Sequence, residues 1–236
     1  MMLPNPVIDA TTGTGAKSET GGVLQRLKAA TRAEHDAIEL ALDLMAPGLS
    51  LTDYHRRLRR YHGFYAPIEP LIAAAVDGPR WGLDTTARAK TAWLAADLAC
   101  LGDSENADGL PPSAFALCTA LPPLETQADA FGCLYVLEGA TLGGRVISRH
   151  IEHALGLDAT HGARFFHGYG EQTGAMWKAF RGALSAFAQQ PSEEDRVVAS
   201  AIATFAALRV WCADATAAAQ LTTVHHIGGD AVLRQR

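Results

Sequence analysis

A chain of 236 residues, 48% hydrophobic and 19% charged, is long enough to bury one substantial core and reads as globular. A formal net charge of −5, with no basic cluster larger than Arg56-Arg57…Arg59-Arg60, excludes the usual nucleic-acid binder; that run is read as a solvated helix face. Four cysteines without paired spacing exclude a disulfide scaffold. No unbroken apolar run approaches the ~18 residues that span a bilayer, so no membrane association and a cytoplasmic location are expected. Residues 1–21 lack a charged start followed by an apolar stretch and are read as a flexible lead-in, not a secretion signal.

Strand-type alternation is hard to find and alanine is abundant, so the chain is expected to be all-α. The first helix is predicted from Gly22 to about Met45, on an apolar stripe through Leu24, Leu27, Thr31, His35, Ile38, Leu42 and Met45. Ser50 to Asp53 is a cap cluster for a second helix over Tyr54 to Val76, which Pro67 and Pro70 are expected to bend or divide. A third helix is predicted over Thr85 to Cys100, with Trp93, Leu94 and Leu98 inward. Loops follow at Asn106 to Pro112 and Leu121 to Leu124. Glu125 begins a long helix that reaches Leu155 and stops at Gly156. Thr160 to Gly170 reads as irregular, and the last helices cover Glu171 to Ala188 and Ser192 to Ala219. Residues 22–220 are taken as one domain and 221–236 as a tail without usable periodicity.

The segment Leu134 to Ile151 has helical apolar spacing, yet Gly139, Gly143 and Gly144 stand in its interior. Each costs about 0.5–1 kcal/mol against alanine, so their presence needs a reason. Gly139 and Gly143 share a face, which without Cβ atoms can lie flat on a planar ligand; close helix packing or a kink is the competing explanation. His35 sits on the stripe of the first helix, where taken alone a histidine is more often a hydrogen-bonded core residue than a ligand. Glu39 is four residues on and can reach the imidazole, the arrangement that orients a metal-bound histidine. Lys28 lies two turns back, about 10 Å along the same face.

These two segments carry a resemblance. Leu27 to Glu39, reading LKAATRAEHDAIE, resembles the proximal-helix motif of the haem oxygenases, and Leu134 to Gly144, reading LYVLEGATLGG, resembles their distal helix. The second motif is most similar to the bacterial branch that includes enzymes supplying chromophore to bacteriophytochromes. The likeness spans roughly Val23 to Ala219. It implies a single-domain haem-oxygenase-like helical bundle with a glycine-kinked distal helix. It implies His35 as proximal iron ligand with Glu39 as its hydrogen-bond partner, and Gly139, Gly143 and Gly144 as close-contact distal backbone. Lys28 and Tyr135 match propionate-holding positions, with Lys178 and Arg181 as further candidates. The implied reaction opens haem oxidatively to biliverdin with release of CO and ferrous iron, using O2 and external electrons. The chain has no flavin or nicotinamide fingerprint of its own, so a ferredoxin or an NADPH-linked reductase is the implied donor. Where animal enzymes place an aspartate after the first distal glycine, this chain has Ala140, which leaves proton delivery without a side chain.

Two other readings belong beside this one. A non-catalytic haem carrier or sensor would keep the pocket and lack turnover. A non-haem di-iron oxidase would need paired Glu-x-x-His motifs, and His150, Glu152 and His153 do not supply them.

Overall fold

The computed structural model describes residues 22–102 and 116–229, with side chains described up to residue 213. The first helix, α1, spans Val23–Leu42 and buries Val23, Leu27, Thr31, Ile38 and Leu42. It stops three residues before the predicted end. Asp43 adopts a left-handed φ of 41° and donates its N–H to the Glu39 carbonyl, closing the last turn.

Helix α2 runs over Leu51–Ala75, capped by Ser50, whose hydroxyl accepts from the Asp53 N–H. The two prolines do not divide it. Proline 67 cannot donate to the Gly63 carbonyl, and the N–H of Cys118 takes that carbonyl at 2.8 Å instead. The loop that brings Cys118 also sets Ala116 O close to where a Gly63 Cβ would stand, and the ring of Trp211, far along the chain, comes within 3.0 Å of the same point. The missing donor and the missing side chain thus serve one docking contact. The basic run on this helix is half-buried rather than solvated. Arg57 donates to the Leu42 carbonyl, Arg60 lies 4.3 Å over the Trp211 ring, and Arg56 pairs with Asp53 at 2.8 Å.

The predicted third helix is interrupted. Short helices α3 (Gly78–Trp81) and α4 (Thr85–Arg88) precede α5 (Thr91–Leu101). The break at Ala89–Lys90 is held from a distance. The Glu69 carboxylate of α2 accepts from the backbone N–H groups of Lys90 and Thr91 and from the Thr91 hydroxyl, capping α5. Leu94 and Leu98 face inward as expected, whereas Trp93 is only half-buried.

Helix α6, Gln127–Leu155, opens with a reciprocal capping box between Thr126 and Asp129 and closes on left-handed Gly156. Within the segment read as irregular, one turn of helix, α7 (Arg164–His167), forms because buried Asp97 accepts from the N–H groups of Arg164 and Phe165 at 2.7 and 2.8 Å. A short 3-10 turn at Gly170–Gln172 leads into α8, Thr173–Phe187. Helix α9 spans Pro191–Gly229 and passes unbroken through the boundary expected at residue 220.

The core is one cluster shared by these helices. Helix α9 packs along both α6 and α1, fixed at one end by Arg26 of α1 on Glu194 and Asp195, and further along by Arg209 on Glu34. Three cysteines are buried and Cys100 is exposed. Against expectation, α6 and the Pro191–Ala213 part of α9 are long and apolar enough to cross a membrane by length and composition. They are packed against one another and against the core, and core helices of a folded domain meet the same criterion. The loop predicted at Asn106–Pro112 lies outside the described residues.

Candidate functional site

The glycines of α6 divide into two kinds by what stands opposite them. A Cβ on Gly132 would meet Val197 O at 2.5 Å and the Ser200 side chain at 2.6 Å, and one on Gly144 would collide with the Phe166 carbonyl. Both therefore serve close backbone packing, against α9 and α7 respectively. Around Gly139 and Gly143, no atom of another described element lies within 4 Å of an added Cβ. Packing explains Gly144, which was expected on the ligand face, and fails to explain Gly139 and Gly143. Those two form a bare stretch of helix that opens on free space.

Tyr135 stands one turn before Gly139 on the same face. Its hydroxyl lies toward the Thr31 side chain of α1, and its ring lies 5.9 Å from that of Trp177 on α8. Burial pushes the Tyr135 hydroxyl toward its neutral form, and the Thr31 contact opposes that only in part. Thr31 in turn donates to the Leu27 carbonyl at 2.8 Å. The Thr31–Tyr135 contact thus ties α1 to α6. His35 lies one turn beyond it on α1 and Gly139 one turn beyond it on α6, each about 6 Å along its own helix axis.

His35 is not buried with the rest of its stripe. Its side chain is 47% exposed, with the Phe205 ring of α9 edge-on at 6.0 Å. Its Nδ1 lies 3.7 Å from Glu39 Oε1 and 4.0 Å from Asp36 Oδ1. The Glu39 contact is an ion-pair distance and longer than the hydrogen bond expected. It leaves Nε2 as the ring nitrogen without a carboxylate beside it. Among the described residues, the one group of histidine and carboxylate side chains close enough to share a metal is His35, Asp36 and Glu39. All three lie on α1, so the two-helix ligand set of a di-iron centre is not assembled there. His150 instead bonds through Nε2 to the Ala46 carbonyl at 3.1 Å.

On α8, Trp177 Nε1 and Arg181 Nε are buried and have no acceptor among the described residues. Buried donors without a partner are costly, roughly 1–3 kcal/mol each, so an acceptor supplied from outside the chain would relieve both. Residues 177 and 181 are one turn apart and share a face. Lys178 and Lys28 are exposed. Trp177 was missed at the sequence level, where an aromatic on an amphipathic helix gives no sign of an orphaned N–H.

Glu138, adjacent to Gly139, was missed as well, although it is the one charged residue in the stretch LYVLEGATLGG. Its side chain is 1% exposed. Arg88 donates to one carboxylate oxygen, and Lys90 Nζ (2.7 Å) and the Tyr169 hydroxyl (2.8 Å) donate to the other. Burial, and then the Glu138 charge, drive the Tyr169 hydroxyl far from ionisation. The Glu138 backbone carbonyl also accepts from the Thr141 hydroxyl at 2.7 Å.

The profile of the heme oxygenase family matches residues 22–214 of this chain. A heme oxygenase of Xanthomonas campestris pv. campestris is 30% identical over 157 residues, 65% of this chain and 84% of that protein. Among solved structures, the NO- and CO-bound heme oxygenase of Neisseria meningitidis superposes with a TM-score of 0.68 at 24% identity, covering 82% of this chain and 91% of that one. That of Leptospira interrogans gives 0.64 at 18% identity, over 81% and 98%. Heme oxygenase-1 of Synechocystis sp. PCC6803, solved in complex with heme, gives 0.61 at 15%, over 87% and 99%.

Proposed function

The chain belongs to the heme oxygenase family and is an enzyme of that activity, and we propose that haem lies between the His35 turn of α1 and the bare Gly139–Gly143 face of α6. The observation that carries this reading is the open face. Two interior glycines have room for a Cβ that no described neighbour fills, and they follow Tyr135, which reaches Thr31 of the histidine-bearing helix.

In this arrangement His35 presents Nε2 to the iron, while Glu39 faces Nδ1 and favours the tautomer that carries its proton there. A neutral imidazole suits oxygen activation with haem as substrate, where a thiolate would drive O–O cleavage. Gly139 and Gly143 let main chain approach the opposite face of the ring. Trp177 and Arg181 supply buried donors for propionate carboxylates, Tyr135 a hydroxyl, and Lys28 and Lys178 exposed positive charge. Gly144 belongs to the support of this face, through its contact with the Phe166 backbone. Ala140 is exposed and has no titratable group, and the neighbouring Thr141 hydroxyl is engaged with the Glu138 carbonyl. Protons therefore reach the site through solvent and main-chain carbonyls.

The products of this reading are biliverdin, CO and ferrous iron, formed with O2 and electrons from a ferredoxin or an NADPH-linked reductase in the cytoplasm. A bacteriophytochrome is the proposed bilin acceptor. The test is an anaerobic haem titration followed by O2 and an electron donor. Turnover replaces the Soret band with bilin absorption, whereas a stable Soret band would mean a carrier or sensor.

A further inference from the structure

We propose that Glu138 is a positioning residue of the haem site, a buried carboxylate that fixes where the Gly139–Gly143 face of α6 stands. This rests on the placement of haem proposed above. Interior glycines leave the α6 backbone with more conformational freedom at 139, 143 and 144 than elsewhere in the helix. Packing secures Gly144 from one side, against the Phe166 carbonyl, but no described atom stands within 4 Å of where a Cβ on Gly139 or Gly143 would lie. Their position must be set from the other side of the helix.

Glu138 supplies that hold. Its neighbour Gly139 is rotated about 100° from it, so an inward Glu138 and an outward Gly139 follow from helix geometry. The three donors to its carboxylate come from three separate places in the chain. Arg88 ends α4, Lys90 stands at the break before α5, and Tyr169 lies between α7 and the 3-10 turn. The same donors are themselves fixed. Arg88 also donates to the Met176 carbonyl of α8 at 3.2 Å, and Lys90 Nζ to the Arg88 carbonyl at 2.8 Å. The Lys90 N–H is held by Glu69 of α2 at 2.6 Å. One carboxylate therefore references the open face to α2, α4, α5 and α8 together. The two buried cations both pair with Glu138, while the Glu69 carboxylate holds the backbone N–H groups of Lys90 and Thr91 beside them. Beside it a cavity of about 20 Å³, lined by Glu69, Arg88 and Lys90, has room for a single water.

The experiment uses the full chain loaded with ferric haem. Tyr169→Phe removes one donor and leaves both ion pairs. Glu138→Gln with Lys90→Met removes one charge of each sign. The expected result has three parts. Both proteins keep a far-UV CD spectrum of folded helix, and both bind haem within about threefold of the parent affinity, because His35 and the α8 donors are untouched. The acid–alkaline spectral transition of the ferric complex shifts by about half a pH unit or more, as the backbone over the ring moves. The ratio of bilin isomers after turnover changes in parallel. Should the double variant fail to fold, Tyr169→Phe decides alone. Folded variants whose transition midpoint and isomer ratio both match the parent would overturn the proposal. A parent protein that takes up no haem, or His35→Ala with an unchanged histidine-ligated spectrum, would refute the haem placement instead, and is scored separately.

Discussion

Replacing each distal-helix glycine by alanine separates the two kinds of glycine by the sign of the stability change. At Gly139 and Gly143 the new methyl group meets no protein atom within 4 Å. Removing an interior glycine should then stabilise the haem-free protein by about 0.5–1 kcal/mol per site. For a chain of this size that raises Tm by roughly 1–4 °C. At Gly144 the methyl group would overlap the Phe166 carbonyl, part of a backbone that cannot swing aside like a side chain. Overpacking of that kind costs about 1–3 kcal/mol, which exceeds the propensity gain and lowers Tm. The haem readout runs the other way. Gly139→Ala and Gly143→Ala put a methyl group between main chain and ring, and a displacement near 1 Å can reduce turnover about a hundredfold. Differential scanning calorimetry of the haem-free variants and single-turnover absorption of the loaded ones supply both numbers. The reasoning fails if Gly139→Ala lowers Tm as Gly144→Ala does, because the face would then be packed. It fails equally if Gly139→Ala raises Tm and turns haem over normally. The larger change Gly143→Leu is expected to abolish activity while the haem-free protein still folds.

His35→Ala should abolish turnover and greatly weaken haem ligation; a retained histidine-ligated spectrum would place the ligand elsewhere, with His55 and His62 as the residues to substitute next. Trp177→Phe removes a buried N–H that has no acceptor among the described residues. Haem-free stability should therefore hold or rise, while haem affinity falls about tenfold by Soret titration, and a drop in Tm with unchanged affinity would refute a ligand role. The Asp129 carboxyl predicts a pH dependence. Burial pushes it up, but hydrogen bonds from Arg196 and Thr126 outweigh burial and hold it below its ordinary value. Its folded pKa is thus lower than its unfolded one, so its contribution is complete above the unfolded value of 3.8 and is lost as pH falls through the folded value. Urea midpoints of Asp129→Asn should show a shallower acid loss than the parent, and identical acid limbs would remove Asp129 from the account.

Helix positions, the caps at Ser50 and Gly156, the glycine pair and His35 were legible in the chain because they rest on local rules: 3.6-residue periodicity, short-range capping and the conformational cost of glycine. Features that depended on partners distant in sequence were not. Whether Pro67 breaks α2 was decided by Cys118, 51 positions away, which accepts the orphaned task of bonding Gly63. The interruption before α5 came from Glu69, and the turn at Arg164 from Asp97. The arginine run of α2 looked solvated because no local rule announces a tryptophan on α9 or a carbonyl at the end of α1.

The sequence by itself determined an all-helical chain and two motifs that resemble those of the heme oxygenase family, since residue type and spacing decide which face a side chain takes on a helix. Only the tertiary structure decided which glycines are bare, that Glu138 is clasped by three donors, and that Trp177 and Arg181 lack acceptors. Each of those properties concerns what lies across a gap between helices, and a pattern along one helix carries no information about its neighbours.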